Sequence, residues 1–437
     1  MSLPDGQPPA HAGDDEGEFL YDVEDDFWGC AEPLENYKPG GLHPIILGDR
    51  LGDNGRFRVV HKLGHGGYGT VWLCQDTLSP TPKWRAVKVM SAKESKLDCA
   101  ELRAMGAFRG IDLSTIENDL HISVPLDYFW INGPNGRHLA LVFTLSAITA
   151  NYMFSICGQS RTLVKDLCFQ LFIHSRGLCH GDFRPPNILV RLCHGVDSLP
   201  EETLLKSFRN GEKPETGRVF SIKDGKPITR ASAPSVPEQL VGSTSIGFYS
   251  GLCAASLAVT DFGVAARALL GPASDIWALG CCIMNLALGF TPFAHEDEGD
   301  DGNMHAAKME SLMGPMPEPF RAAYKEEHKR QPNNDGELKP ITEMPSICPE
   351  YIQLRVDNEE ADQLFDLLMS IFKWHPKDRA TIQQVLDHPW FEERNQNAAV
   401  GPQRVSTKRN MVDDVVKGFK SYLNAGSAGS LLSGSFS

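Results

Sequence analysis

The chain has 437 residues, a hydrophobic fraction of 41% and a formal net charge of −14. That length exceeds one small core and suits two lobes with insertions, while the acidic balance argues against a nucleic-acid-binding surface and favours basic partners. Eleven cysteines, scattered without a C-x-x-C pair, read as a reduced intracellular protein and not as a disulfide framework or a zinc site.

Residues 1 to about 52 are acidic and rich in Pro and Gly, and are expected to form an irregular leader with no signal peptide. Arg56 to Val60 alternates as a half-buried strand does, and Thr70 to Cys74 reads as its return strand. Ala86 to Met90 is a third strand. Glu94 to Met105 has helical character, with Leu97, Leu102 and Met105 as expected core contacts. Leu139 to Phe143 is an apolar strand, after which the pattern turns helical. The segment from Leu192 to about Ala258 is turn-rich and poor in apolar runs, and is expected to be an inserted, partly disordered loop. Ile276 to Leu288 is too short to span a bilayer and reads as a buried core helix. Glu360 to Phe372 places Leu364, Leu367, Leu368 and Ile371 on one helical face, and Thr381 with Gln384 has the form of a capping box. The Gly- and Ser-rich tail is expected to be disordered. The expected division is a leader over 1–52, lobes over 53–145 and 146–392, and a tail over 393–437.

The chemistry-bearing residues fall in one order. Gly64-His-Gly66-Gly-Tyr-Gly69 lies between two strands and lacks a following Gly-Lys-Ser/Thr, which argues against a dinucleotide fold and excludes a P-loop. Its glycines let backbone amides approach phosphates without a Cβ in the way. Leu63, Gly64, His65, Gly66, Gly67, Tyr68, Gly69 and Val71 are therefore candidates for nucleotide binding. Lys88, in an apolar strand, is the candidate cation for the α- and β-phosphates, with Glu101 preferred over Glu94 as the acid that holds it. In His180-Gly-Asp182-Phe-Arg184-Pro-Pro-Asn187, Asp182 suits a catalytic base and Arg184 suits charge neutralisation. Asn187 and Asp261, the latter in Asp261-Phe262-Gly263, offer oxygen ligands for Mg²⁺ beside ATP.

This set resembles the eukaryotic-type protein kinases over about residues 56 to 392. Within them the chain is similar to the SR-protein kinases, which phosphorylate Arg/Ser-rich splicing factors. That narrower resemblance is carried by Glu35-Asn-Tyr37-Lys-Pro39-Gly-Gly-Leu-His43-Pro44, by Leu47-Gly-Asp49, by His61 through Trp72, and by the long insert between Asn187 and Asp261. Asp275-Ile-Trp277-Ala-Leu-Gly280 resembles the start of the family's buried central helix, and Arg379 with His388-Pro-Trp-Phe391 its closing helix. The resemblance implies an α+β bilobal fold with a small β-rich lobe and a larger helical one. It also implies ATP and Mg²⁺, protein substrates of Arg/Ser-rich kind, and a monomer in cytoplasm or nucleus with neither direct nucleic-acid nor membrane binding.

Three departures from the family pattern stand out. The usual His-Arg-Asp reads His180-Gly181-Asp182, which removes the arginine that pairs with an activation-loop phosphate, so no such phosphorylation is expected to be needed. The interval from Asp261 to Asp275 is too short for an activation loop, a substrate platform and an Ala-Pro-Glu motif. Arg379, the family's partner for that missing Glu, then needs another partner, since an uncompensated buried charge costs about 3–5 kcal/mol. Finally, the helix before His180, over Val164 to Arg176, looks short. Beside the protein-kinase reading stand two others: a nucleotide-binding pseudokinase acting as an interaction module, and a small-molecule phosphotransferase, whose His-Gly-Asp and following Asn are similar.

Overall fold

The structure is a computed structural model that describes residues 20–24, 31–81, 83–112, 115–116, 121–157, 174, 179–208, 213–247, 251–262, 271–289, 293, 303–328, 352–353, 356 and 358–391. The expectations for the tail, for most of 164–176 and for Gly263 with the residues after it lie outside that set. The strands are β1 Tyr21–Val23, β2 Arg50–Leu51, β3 Phe57–Gly66, β4 Gly69–Asp76, β5 Lys83–Met90, β6 Asp127–Gly133, β7 Gly136–Thr144, β8 Ser146–Thr149, β9 Ile188–Leu192, β10 Thr216–Ser221, β11 Gln239–Val241 and β12 Cys253–Val259.

Six of them form one antiparallel sheet in the order β2-β3-β4-β5-β7-β6. The two-residue side-chain period divides its layers. Phe57, Val59, Trp72, Cys74, Val87 and Val89 pack together on one face, whereas Ala86 and Lys88 face the other way, into the cleft between the lobes. β3 and β4 are joined through Gly67 and Tyr68, with Gly66 opposite Gly69. A Cβ on Gly69 would sit 2.3 Å from the Val89 carbonyl oxygen, so the strand crossing itself demands glycine there. Nothing lies within 4 Å of a Cβ built on Gly64, Gly66 or Gly67.

The helix after β5 begins later than the sequence pattern suggests, at Ala100–Ala107, preceded by a single 3₁₀ turn at Ala92–Glu94. Ser95 explains the delay. Its hydroxyl donates to the Ser91 carbonyl and accepts from the Leu139 amide at 2.8 Å each, tying an extended backbone to the sheet. Leu97, expected in the core, therefore lies outside the helix and is 62% exposed, while Leu102 packs against the sheet.

A second sheet, β12-β9-β8, lies under the cleft. β9 starts directly after Asn187 and β12 ends two residues before Asp261, with Ile188 opposite Val259. This antiparallel pair fixes Asn187 beside Asp261 whatever the length of the chain between the strands.

Leader and insert depart from expectation. Residues 213–247 of the insert are not a loose loop: β10 pairs with β1 of the leader on one side and β11 on the other. Val23, Leu34, Tyr37 and Leu42 of the leader close a small core with Val219, Ile228, Val236 and Leu240 of the insert. Each half carries too few apolar residues to bury a face alone, so neither reads as structured until the two meet.

The second lobe is mainly helical among the described residues. Helix Pro272–Ile283 continues as a π turn over Met284–Leu288 and ends at Gly289, whose φ is 77°. Helix Asn358–Ile371 buries Leu364, Leu367, Leu368 and Ile371 against it. Contact is close at Gly280, where a Cβ would meet Ile371 and Phe372 at 2.8 Å. Thr381 and Gln384 form the reciprocal capping box that starts Ile382–Leu386.

Candidate active site

A cleft of about 800 Å³ opens between the two lobes. Of the residues named from the sequence, Leu63, Gly64, His65, Gly66, Tyr68, Gly69, Val71, Lys88, Asn187 and Asp261 line it. Gly67 stands at the exposed loop turn, Glu101 behind Lys88, and Asp182 and Arg184 beside Asn187.

Lys88 Nζ lies 2.9 Å from Glu101 Oε1 and 2.8 Å from Asp261 Oδ1. Glu101 is buried in the first turn of its helix, which makes it, and not Glu94, the acid that Lys88 meets. Burial alone would depress the Lys88 ammonium, but the two carboxylates outweigh it and hold the group above the ordinary lysine value. Lys88 is thus a fixed cation facing the cleft.

The loop Asp182 to Asn187 forms a second cluster. Asp182 Oδ2 accepts from Asn187 Nδ2 at 2.9 Å and from Arg184 Nε at 3.1 Å. With its amide nitrogen committed to Asp182, Asn187 turns its amide oxygen the other way. Arg184 is mostly exposed, so it is able to reach a group arriving from solvent.

His180 ties the two clusters together. It is fully buried, and burial pushes its imidazole below the ordinary value, leaving the ring neutral. Its Nδ1 accepts from the Asp182 amide at 3.2 Å and its Nε2 sits 3.0 Å from the Thr260 carbonyl, which fixes the proton on Nε2. One ring therefore positions the residue next to Asp261 and the backbone of Asp182. Asp261 itself has φ of 64°, a left-handed conformation that Asp tolerates better than most residues.

One supporting residue carried no assigned role in the sequence reading. Asp275, in the first turn of the buried helix, accepts from the amides of His180 (2.6 Å) and Gly181 (2.8 Å) and lies 2.9 Å from His174 Nε2. An acidic residue in the first turn of an otherwise apolar helix was the available signal. Gly181, where the family has arginine, has φ of 78°.

Arg379 has found substitutes for a carboxylate. Its Nη1 donates to the Ala273 carbonyl at 2.8 Å, its Nε to the Lys373 carbonyl at 3.0 Å, and its guanidinium lies 4.7 Å from the Trp277 ring centroid. Burial lowers its pKa, as expected for a cation solvated by neutral dipoles.

The cleft passes the test for a nucleotide. Leu63, Val71, Ala86, Phe143 and Leu189 give it an apolar end suited to a flat base. The other end has the Lys88 cation, and the open space above Gly64 and Gly66 is a cradle that any Cβ would fill. The Asp261 carboxylate and the Asn187 amide are hard oxygen donors of the kind Mg²⁺ takes.

Residues 263–391 match the protein kinase domain family. The chain is 26% identical over 410 residues to serine/threonine-protein kinase SRPK of Physarum polycephalum, covering 85% of this chain and 92% of that protein. It is 32% identical over 176 residues to serine/threonine-protein kinase SKY1 of Saccharomyces cerevisiae, covering 37% of this chain and 23% of that one. Against dual specificity protein kinase CLK2 of Homo sapiens it is 26% identical over 364 residues, 79% of this chain and 65% of the relative. Several of the relatives are thus much longer than the stretch they share with it: for spk-1 of Caenorhabditis briggsae the shared stretch is 15% of the protein. In its fold, its site and these matches the chain is similar to the eukaryotic-type protein kinases. Within that class the chain is similar to the SR-protein kinases.

Proposed function

We propose that this protein transfers the γ-phosphate of ATP to serine or threonine of protein substrates, with Arg/Ser-rich segments as the substrate class. The observation that carries the reading is the convergence of Lys88, Glu101 and Asp261 on one side of the cleft with Asp182 and Asn187 on the other. In this reading Lys88 holds the α- and β-phosphates, and the amides around Gly64 to Gly69 lie along the phosphate chain. Asp182 orients the incoming hydroxyl and takes its proton, while Arg184 offsets charge on the transferring group. Asn187 and Asp261 would hold Mg²⁺, which would supply neutralisation of the phosphate charge.

The names of the relatives support serine/threonine specificity, and the net charge of −14 suits an arginine-rich substrate. Residues 53–145 and 146–392 serve as the two lobes of a monomer working in cytoplasm or nucleus, without direct contact to nucleic acid or membrane. Among the described residues no helix is long and apolar enough to cross a bilayer. The short interval between Asp261 and Asp275 supports a second reading, a nucleotide-binding pseudokinase.

The substrate class is tested with purified protein, Mg·ATP labelled at the γ-phosphate, and two peptides of equal length, one of Arg/Ser repeats and one of Asp/Ser repeats. Label in the first and not in the second is expected. Equal labelling would overturn the substrate class, and binding of ATP with no labelling of any protein substrate would favour the pseudokinase.

A further inference from the structure

Beside the segment that leads into Asp182 lies a cluster of three side chains of the kinds that bind metals. One ligand atom each from His174, Cys179 and Asp275 lies within 4.8 Å of the other two. The fold assembles the cluster, and no C-x-x-C spacing marks it in the sequence. His174 and Cys179 precede His180, whereas Asp275 comes from the first turn of helix Pro272–Ile283.

The Asp275 carboxylate is already held as a metal ligand would be. Its Oδ1 accepts from the Gly181 amide at 2.8 Å and its Oδ2 from the His180 amide at 2.6 Å. Ligating carboxylates are oriented by such outer hydrogen bonds, and both persist if Oδ2 exchanges its His174 contact for a metal. That contact, from His174 Nε2 to Oδ2, is 2.9 Å long. Two ligands each about 2.0–2.1 Å from one tetrahedral zinc are about 3.3 Å apart, so an opening of less than about an ångström admits the ion. The Nδ1 of the same ring is buried without a hydrogen-bond partner among the described residues, so Asp275 is the ring's one polar anchor there.

The ligand types select the metal. A thiolate, an imidazole and a carboxylate are all zinc ligands, whereas Mg²⁺ and Ca²⁺ take oxygen donors. Charge selects it too, because the two anionic ligands cancel a divalent ion and leave no net charge to bury. Without the ion, burial and the Asp275 charge push the Cys179 thiol up, a repulsion that a cation between them removes. Asp275 is 1% exposed while Cys179 is half-buried, so an ion enters from the Cys179 side. Three protein ligands leave a fourth position for water.

We propose that His174, Cys179 and Asp275 bind Zn²⁺ with water as the fourth ligand, pinning the segment before Asp182 to helix Pro272–Ile283. This does not rest on the kinase reading, and its test contains no nucleotide.

The test takes the reduced full chain, stripped of metal by a chelator, and titrates it with Co²⁺, whose thiolate complexes absorb in the near ultraviolet. The unaltered protein is expected to gain that band at one equivalent and to lose it as Zn²⁺, a d¹⁰ ion, displaces Co²⁺. Cys179→Ser should abolish the band. His174→Gln should weaken Zn²⁺ binding at least about tenfold in competition with a fluorescent chelator, since even outer partners count for that much. Cys193→Ser, which removes an exposed thiol outside the cluster, should change neither readout. Circular dichroism melts establish which variants fold. An unaltered protein without the band overturns the proposal. So does a folded Cys179→Ser that keeps it, because another of the eleven cysteines then binds the ion. Unchanged Zn²⁺ affinity in folded His174→Gln overturns it equally, and decides the matter if Cys179→Ser does not fold.

Discussion

Removing one carboxylate should loosen the leader from the nucleotide-binding lobe. Lys62 is 0% exposed and Glu32 2% exposed, and the Lys62 ammonium pairs with the Glu32 carboxylate, which also accepts the Tyr37 hydroxyl. Apart from Glu32, the ammonium has the Trp72 ring, with Nζ 5.3 Å from the centroid. Burial already pushes Lys62 below its ordinary value of 10.5, and Glu32 opposes that fall. In Glu32→Ala the lysine must stay charged without a partner or lose its proton. Deprotonation at pH 7 against a pKa of 10.5 costs at most about 5 kcal/mol, and breaking a buried pair typically costs about 3–5 kcal/mol. The expected loss is therefore about 3–5 kcal/mol, read from urea unfolding followed by tryptophan fluorescence. The sign of the pH effect follows. With Lys62 neutral when folded and protonated when unfolded, the unfolded state binds the extra proton, so the variant should regain about 1.4 kcal/mol per pH unit between pH 7 and 9. Lys62→Met in the Glu32→Leu background should restore most of the loss, since an apolar replacement leaves no charge behind. A loss under about 1 kcal/mol that does not change with pH would refute the reasoning.

Two further outcomes are expected. His43, packed against His138 with ring centroids 4.9 Å apart, is held down to about 4 from 6.5, first by burial and then by His138. The unfolded chain then binds more protons between those values, so stability should fall by up to about 3 kcal/mol as pH drops from 6.5 to 4, and His43→Gln should flatten that slope in pH-dependent melts. Gly280→Val should cost about 1–3 kcal/mol or more in denaturant melts, because its side chain would enter space held by Ile371 and Phe372.

What the sequence disclosed depends on the range of the interaction. Lys88 and Glu101 were readable because a strand period and a helix position suffice to bring them together, and Thr381 with Gln384 because a capping box spans three residues. The apolar face of Asn358–Ile371 was plain from spacing alone. Leu97 was misread because helical spacing in the sequence says nothing of Ser95, whose hydroxyl holds the chain extended. The leader-insert sheet joins Tyr21–Val23 to Thr216–Ser221, two short strands nearly two hundred positions apart with no local mark of their partnership. Likewise, the need of Arg379 for a partner was legible, but its partners are backbone carbonyls, which every residue has.

The most direct test of phosphoryl transfer places the unaltered protein and Asp182→Asn side by side with γ-labelled Mg·ATP and an Arg/Ser-repeat peptide, with ATP affinity measured on both. The geometry predicts labelled peptide from the unaltered protein, and from the variant a rate lower by at least about a hundredfold with ATP affinity little changed. Undiminished transfer by Asp182→Asn would contradict the account, because the carboxylate that Asn187 and Arg184 hold would then not be the base.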